Sequence, residues 1–303
     1  MRSPLQTMLA VVAIAAGAGC APDGAEPSAA SGEKCPTDPV NVVVSVNQWS
    51  DVVTAIGGRC VEVTTVLAGS AGDPHDFEPA PADAAAFTGA RLVVVNGGHY
   101  DEWATKLAQS SAPDAPVVDA VEVGGGGENP HVWYRPATVV AVADALTARL
   151  GALAPDAAGY VEQRRAAFGE SLQPYFARID AIRAVAPGRG YAATENVFDD
   201  MAAEVGLTNR TPPGYAAAVS NESEPSPADV DAFLTLLRNR GVDVLIVNTQ
   251  TRGAGQDQLR AAAQQAQVPV VEVTETMPAD AASFPAWQVE QLTALAKVLG
   301  AAP

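Results

Sequence analysis

Short apolar runs, most of them rich in valine, alternate along this chain with longer stretches of helical period. NVVVSVN (residues 41–47), VEVTTVL (61–67), ARLVVVNG (90–97) and PVVDAV (116–121) are the first four. A strand covered on both faces reads as a nearly continuous apolar run, so these predict the buried strands of a parallel sheet. After Pro136, the residues Val139, Val142, Leu146, Leu150 and Leu153 recur at spacings of three and four, which is one face of a helix. A second helical pattern opens at Asp156 and runs to about Val185. Pro174 lies inside it and should kink or divide it, because proline lacks an N–H and its ring crowds the preceding turn. The strand-like runs then resume with GYAAT (190–194), DVLIVNT (243–249) and VPVVEVT (268–274). Ser226-Pro227-Ala228-Asp229 has the form of a helix start, with Ser as cap, Pro in the first turn and an acid behind it. AWQVEQLTALAKVL, 286–299, is the last helix. The pattern predicts an α/β half, a long helical connector and a second α/β half. No internal sequence repeat is visible.

The first residues, MRSPLQTMLAVVAIAAGAGC, change the picture at one end. Arg2 gives a short positive region, and Met8 to Ala16 is apolar but too short to span a bilayer. Gly17-Ala18-Gly19-Cys20 resembles a bacterial lipobox, with Gly17 in place of the usual leucine. Residues 1–19 are therefore expected to be a signal peptide, and Cys20 the lipidated first residue of the mature protein. A plain secretory signal is the alternative, and either route takes the protein out of the cytoplasm. The Pro/Ser/Gly/Ala-rich stretch that follows has no apolar period and reads as a tether, 20–38. Outside the cytoplasm, Cys35 and Cys60 are most simply a disulfide, with two buried free thiols as the alternative.

A net charge of −17 argues against nucleic acid as a partner, since phosphates need Lys and Arg. It is compatible with a metal cation. Walker-type loops, G-x-S-x-G, H-E-x-x-H and C-x-x-C are absent, and the Gly124–Gly127 run has no following lysine to make a phosphate cradle.

The chain has three histidines, and two of them directly follow a proline: His75 in DPHDFEP and His131 in ENPHVWYRP. Proline fixes its own φ and holds the preceding Asp or Asn extended, so each histidine stands on a stiffened loop. DPHDFEP follows a predicted strand, and loops beyond strand carboxyl ends line the ligand crevice of open α/β sheets. Imidazole is the commonest protein ligand for transition metals. Either histidine alone would read as an ordinary loop residue; the repeated context points to metal.

DPHDFEP, followed by P-x-D-x-x-x-F, VVVNGGHYDEW and NPHVWYRP, resembles the metal-binding lipoproteins of zinc and manganese ABC transporters, from about Asn41 to the C-terminus. The resemblance implies two α/β lobes with parallel-type sheets, joined by a long connecting helix, with one metal in the inter-lobe cleft. The corresponding boundaries are 39–155 for the N-terminal lobe, 156–186 for the connecting helix and 187–303 for the C-terminal lobe. It implies His75 and His131 as the first two metal ligands. The third family position falls on Glu195 in YAATENVFDDM, where many members carry histidine and some glutamate. Asp199 and Asp200 are its local rivals but should lie on the following helix. The fourth falls on Glu275 in VPVVEVTETMP; Glu272, three residues earlier on the strand, should face the other way. Read without the family, Glu195 would be a helix-start acid and Glu275 a solvated loop carboxylate. His99 is expected on the surface, and Trp103, Trp133 and Trp287 in packing roles.

Two imidazoles and two carboxylates suit Zn²⁺, Mn²⁺ or Fe²⁺. Carboxylates favour Mn²⁺, the Irving–Williams order favours Zn²⁺, and this places zinc slightly ahead although no His-rich loop is present. The implied activity is capture of one metal per monomeric chain and delivery to a membrane permease, not catalysis. A secreted zinc metallohydrolase would instead keep an open coordination position for water. A metal-free adhesin or structural surface lipoprotein is the other alternative.

Overall fold

In β1 (Val40–Val46) five of the seven residues are valine, and every residue but Asn41 is buried. Such a strand can only lie inside a sheet with both faces covered. The computed structural model describes residues 34–69, 77–251 and 253–302. In it β1 lies second in a four-stranded sheet of order β2-β1-β3-β4, with β2 (Val61–Leu67), β3 (Leu92–Val95) and β4 (Val117–Asp119), all pairs parallel. A second sheet contains β5 (Gly190–Ala193), β6 (Thr208–Asn209), β7 (Val244–Asn248) and β8 (Val270–Val273) in the order β6-β5-β7-β8, again parallel throughout. Both halves thus use one winding, although no repeat is visible in the sequence. β6 was not foreseen, since its two residues are polar and exposed and give no apolar run.

Helices cover the first sheet: α1 (Asn47–Gly57), α2 (Pro81–Phe87), α3 (Glu102–Ser111), α4 (Ala120–Val123) and α5 (Pro136–Leu153). α1 turns Trp49, Val52, Val53 and Ile56 inward at helical spacing. The connector is two helices, α6 (Ala158–Ser171) and α7 (Gln173–Arg183). They divide at Leu172, and Pro174 occupies the first turn of α7, where its missing N–H costs nothing. α6 packs on α1 and α5, while α7 packs on α12 (Phe284–Leu299), so the connector belongs to both halves. One contiguous core runs from Val44 and Trp49 through Ile179 of α7 to Val271 and Leu292. Each such side chain stabilises by about 1.5–3 kcal/mol when fully buried, so this core ties the two halves together, while smaller separate clusters lie within the second half around Phe233 and Leu245 and within the first around Val93 and Phe87.

α8 (Asp199–Glu204), α9 (Pro213–Ser220), α10 (Pro227–Arg238) and α11 (Ala254–Ala266) complete the second half. Ser226 caps α10 by accepting the Asp229 N–H at 3.3 Å, as its sequence predicts. α12 begins slightly before its expected start, because Ser283 caps it and Pro285 fits its first turn. Cys35 and Cys60 form a disulfide with Cα atoms 5.0 Å apart, tying the segment before β1 to the turn before β2. Cys20 and its signal lie outside the described residues.

Candidate metal centre

Three polar side chains arise at the carboxyl ends of neighbouring strands in the second sheet. Glu195 follows β5 by two residues, Asn248 ends β7, and Glu275 follows β8 by two residues. Parallel strands end on the same side, so the topology alone brings them together. His131 approaches from the first half, on the loop between α4 and α5.

His131 is 5% exposed and Glu275 4%. Their Nε2 and Oε1 atoms stand 3.7 Å apart. The other ring nitrogen of His131 is committed: Nδ1–H donates to Asn129 Oδ1 at 2.7 Å. That Asn oxygen also accepts the His131 backbone N–H at 3.1 Å, while its amide nitrogen donates to the Asn196 carbonyl at 3.0 Å. The orientation of Asn129 is therefore set by three partners, and Nε2 is the ring nitrogen that faces Glu275. Pro130, just before His131, is held in turn. Its carbonyl accepts from Asn96 Nδ2 at 2.8 Å, and Asn96 Oδ1 accepts from Trp49 Nε1 at 3.0 Å. Trp133 packs edge-on against the imidazole, with centroids 5.3 Å apart.

Asn248 joins the two carboxylates. Its Nδ2 donates to Glu195 Oε2 at 2.6 Å and to Glu275 Oε2 at 3.2 Å. Glu195 Oε1 accepts from Gln256 Nε2 at 3.0 Å and from the Thr251 hydroxyl. Burial pushes the Glu195 carboxyl up from its usual range, and the Thr251 and Asn248 hydrogen bonds oppose that rise. The backbone carrying Glu275 is fixed by Gln250, whose Oε1 accepts the N–H groups of Glu275 and Thr276 at 2.6 and 2.7 Å. Tyr100, buried nearby, has its hydroxyl pKa raised well above normal by burial and then by the Glu275 charge.

The rival acids are engaged elsewhere. Asp199 accepts from Tyr191 at 2.7 Å, and Asp200 pairs with Arg135 at 3.0 Å; both lie on α8. Glu272 is exposed and pairs with Arg260. Glu195 stands at the N-cap position of the short turn Asn196–Phe198, but its side chain makes no hydrogen bond to that turn. His99 stands 91% exposed, with Nδ1 2.5 Å from Glu102 Oε1. Trp133 and Trp287 are buried, and Trp103 packs on Phe77 with centroids 4.7 Å apart.

His75 lies in the segment 70–76, outside the described residues. Among the described residues no three His, Cys, Asp or Glu side chains already close on one metal position. The described cluster holds one imidazole and two carboxylates, the latter joined through the Asn248 amide. The residues that sequence reasoning missed are Asn248, Gln250, Thr251 and Gln256. For Gln250 and Thr251 a signal was available, because they follow the strand that ends at Asn248, on the side where ligand loops lie.

Comparison with known proteins follows this geometry. The family model described as zinc-uptake complex component A, periplasmic, matches residues 42–298. The manganese ABC transporter substrate-binding lipoprotein PsaA of Streptococcus pneumoniae is 24% identical over 245 residues, 73% of this chain and 76% of that protein. The iron ABC transporter substrate-binding lipoprotein MtsA of Streptococcus pyogenes serotype M1 is 20% identical over 223 residues, 67% of this chain and 69% of that one. Among solved structures, the Cd-bound periplasmic metal binding protein from Candidatus Liberibacter asiaticus matches with a TM-score of 0.71 at 18% identity. That match covers 86% of this chain and 99% of the other, and it shows the two-lobe α/β fold.

Proposed function

The chain belongs to the zinc-uptake complex component A family of metal ABC-transporter substrate-binding proteins, and on that premise we propose that it captures one divalent transition metal outside the cytoplasm and hands it to a membrane permease. Its family is one of solute-binding components and not of enzymes. The proposed ligands are His75 and His131 from the first half and Glu195 and Glu275 from the second. The observation that carries the reading is the approach of His131 Nε2 to Glu275 Oε1, 3.7 Å apart, from opposite halves and both almost fully buried. An imidazole nitrogen and a carboxylate oxygen are both common ligands of divalent transition metals, and the Nδ1 bond to Asn129 fixes the ring that would offer one of them.

Zn²⁺ is placed slightly ahead of Mn²⁺ on affinity grounds, while relatives carry manganese or iron in their names. The metal takes deprotonated ligands, so capture releases protons and acid favours release. The shared core across the connector limits wide hinge motion, leaving local adjustment to close the cage. Cys20 anchors the protein to the membrane as a monomer in this reading.

Elemental analysis of the purified protein, with competitive Zn²⁺ and Mn²⁺ titration of the metal-stripped chain, tests the proposal. His75→Ala, His131→Ala, Glu195→Ala and Glu275→Ala should each weaken binding. Undiminished affinity in both His131→Ala and Glu275→Ala would sink the site.

A further inference from the structure

Asn248 occupies a position that the four-ligand reading does not use. It is 2% exposed, at the carboxyl end of β7, inside the second sheet. Its side-chain orientation is fixed, because Oδ1 accepts the Gln250 backbone N–H at 3.1 Å, which turns Nδ2 toward the acids. Both N–H bonds of that nitrogen are then given to carboxylates on different segments: Glu195 at 2.6 Å and Glu275 at 3.2 Å. Two carboxylates brought to one shared donor repel each other. A neutral amide between them is the smallest group that can satisfy both without adding charge.

We propose that Asn248 is the positioning residue of the metal site, tying Glu195 and Glu275 into one pre-formed carboxylate pair whose spacing sets affinity for the divalent cation. It does so without touching the metal. The neighbours support that division of labour. Thr251 and Gln256 hold the far oxygen of Glu195, and Gln250 holds the backbone of Glu275. Asn248 is the residue that links the two groups to each other. An acid at this place would put a third charge between two carboxylates, and an apolar residue would leave them to repel. The inference rests on Glu195 and Glu275 being ligands, as proposed above.

The test is Zn²⁺ and Mn²⁺ titration of metal-stripped wild type, Asn248→Ala and Asn248→Leu, the last keeping the side-chain volume without its donors. Thermal unfolding of each metal-free chain is measured in parallel. Loss of an outer partner of a metal ligand costs about 10–100-fold in affinity. That loss is expected for both variants, with metal-free melting temperatures close to wild type. Wild-type affinity in a folded variant overturns the proposal, as does a lowered metal-free melting temperature with undiminished affinity, which would make Asn248 purely structural. A wild-type chain that binds neither metal would instead overturn the ligand reading itself, so the two failures are distinguishable.

Discussion

The side chain of Asn47 pairs with the backbone of Met277 at both of its polar ends. Nδ2 donates to the Met277 carbonyl at 2.7 Å, and Oδ1 accepts the Met277 N–H at 3.2 Å. Asn47 opens α1 directly after β1, and Met277 follows β8 just past Glu275. One amide therefore stitches the first half to the loop that carries a proposed ligand. Each such bond contributes about 0.5–1.5 kcal/mol net. Asn47→Ala should lower the stability of the metal-free protein by about 1–3 kcal/mol in chemical denaturation. An unchanged midpoint and slope would show that the packed core alone holds the halves together.

One turn further along α1, Asp51 makes a second tie, accepting the Phe284 N–H at the start of α12 at 2.7 Å. Burial raises its pKa from 3.8, and the Phe284 bond only partly opposes the rise. A carboxyl raised in the folded state binds its proton more tightly there than in the unfolded chain. Its contribution therefore favours folding at low pH and is lost as pH rises from 3.8 through the raised value. Asp51→Asn keeps an acceptor for Phe284 and removes the titration. Melting temperatures of the metal-free variant should equal or exceed wild type near pH 7, and the gap should narrow or reverse as pH falls toward 4. A gap constant with pH would count against a raised Asp51.

The reach of the sequence follows from which interactions are local. VEVTTVL became β2 without a residue's difference in its bounds, but as an edge strand with no buried residue and not the buried strand its composition predicts. Ser226 and Pro174 acted as written, because capping and the missing proline N–H are decided within a turn. His131 and Glu275 were named as ligand candidates through family context, and Glu275 also through the strand before it. Asn248 was not, because its meaning depends on two carboxylates 53 and 27 residues away in the chain. The shared strand order of the two sheets was hidden for a related reason: winding is set by crossovers, not by side-chain identity at fixed spacing.

The bond from His131 Nδ1 to Asn129 also makes a prediction separate from Asn248. With Asn129 removed, the imidazole can protonate at either nitrogen and rotate, so the population offering Nε2 to a metal falls. Asn129→Ala should weaken Zn²⁺ binding about 10-fold or more. His99→Ala should leave it unchanged, since His99 is exposed and paired with Glu102. Competitive titration of the two variants side by side checks both. Equal losses would mean that exposed charge, not imidazole orientation, sets the affinity.

The disulfide should affect stability and metal binding independently. Cys35 and Cys60 are 25 residues apart, and the bridge lies just before the amino end of β2. Glu195 and Glu275 lie past the carboxyl ends of β5 and β8, and His131 on the loop between α4 and α5. Closing a loop of this length stabilises by about 3 kcal/mol on the chain-entropy model. For a domain of this size that corresponds to a melting temperature lower by about 6–12 °C when both cysteines are replaced by serine. Zn²⁺ affinity of the folded double variant should stay close to wild type, because Glu195 and Glu275 lie in the second half, away from the bridge. Loss of affinity together with stability would show instead that the bridge shapes the cleft through β1, whose carboxyl end leads directly into Asn47.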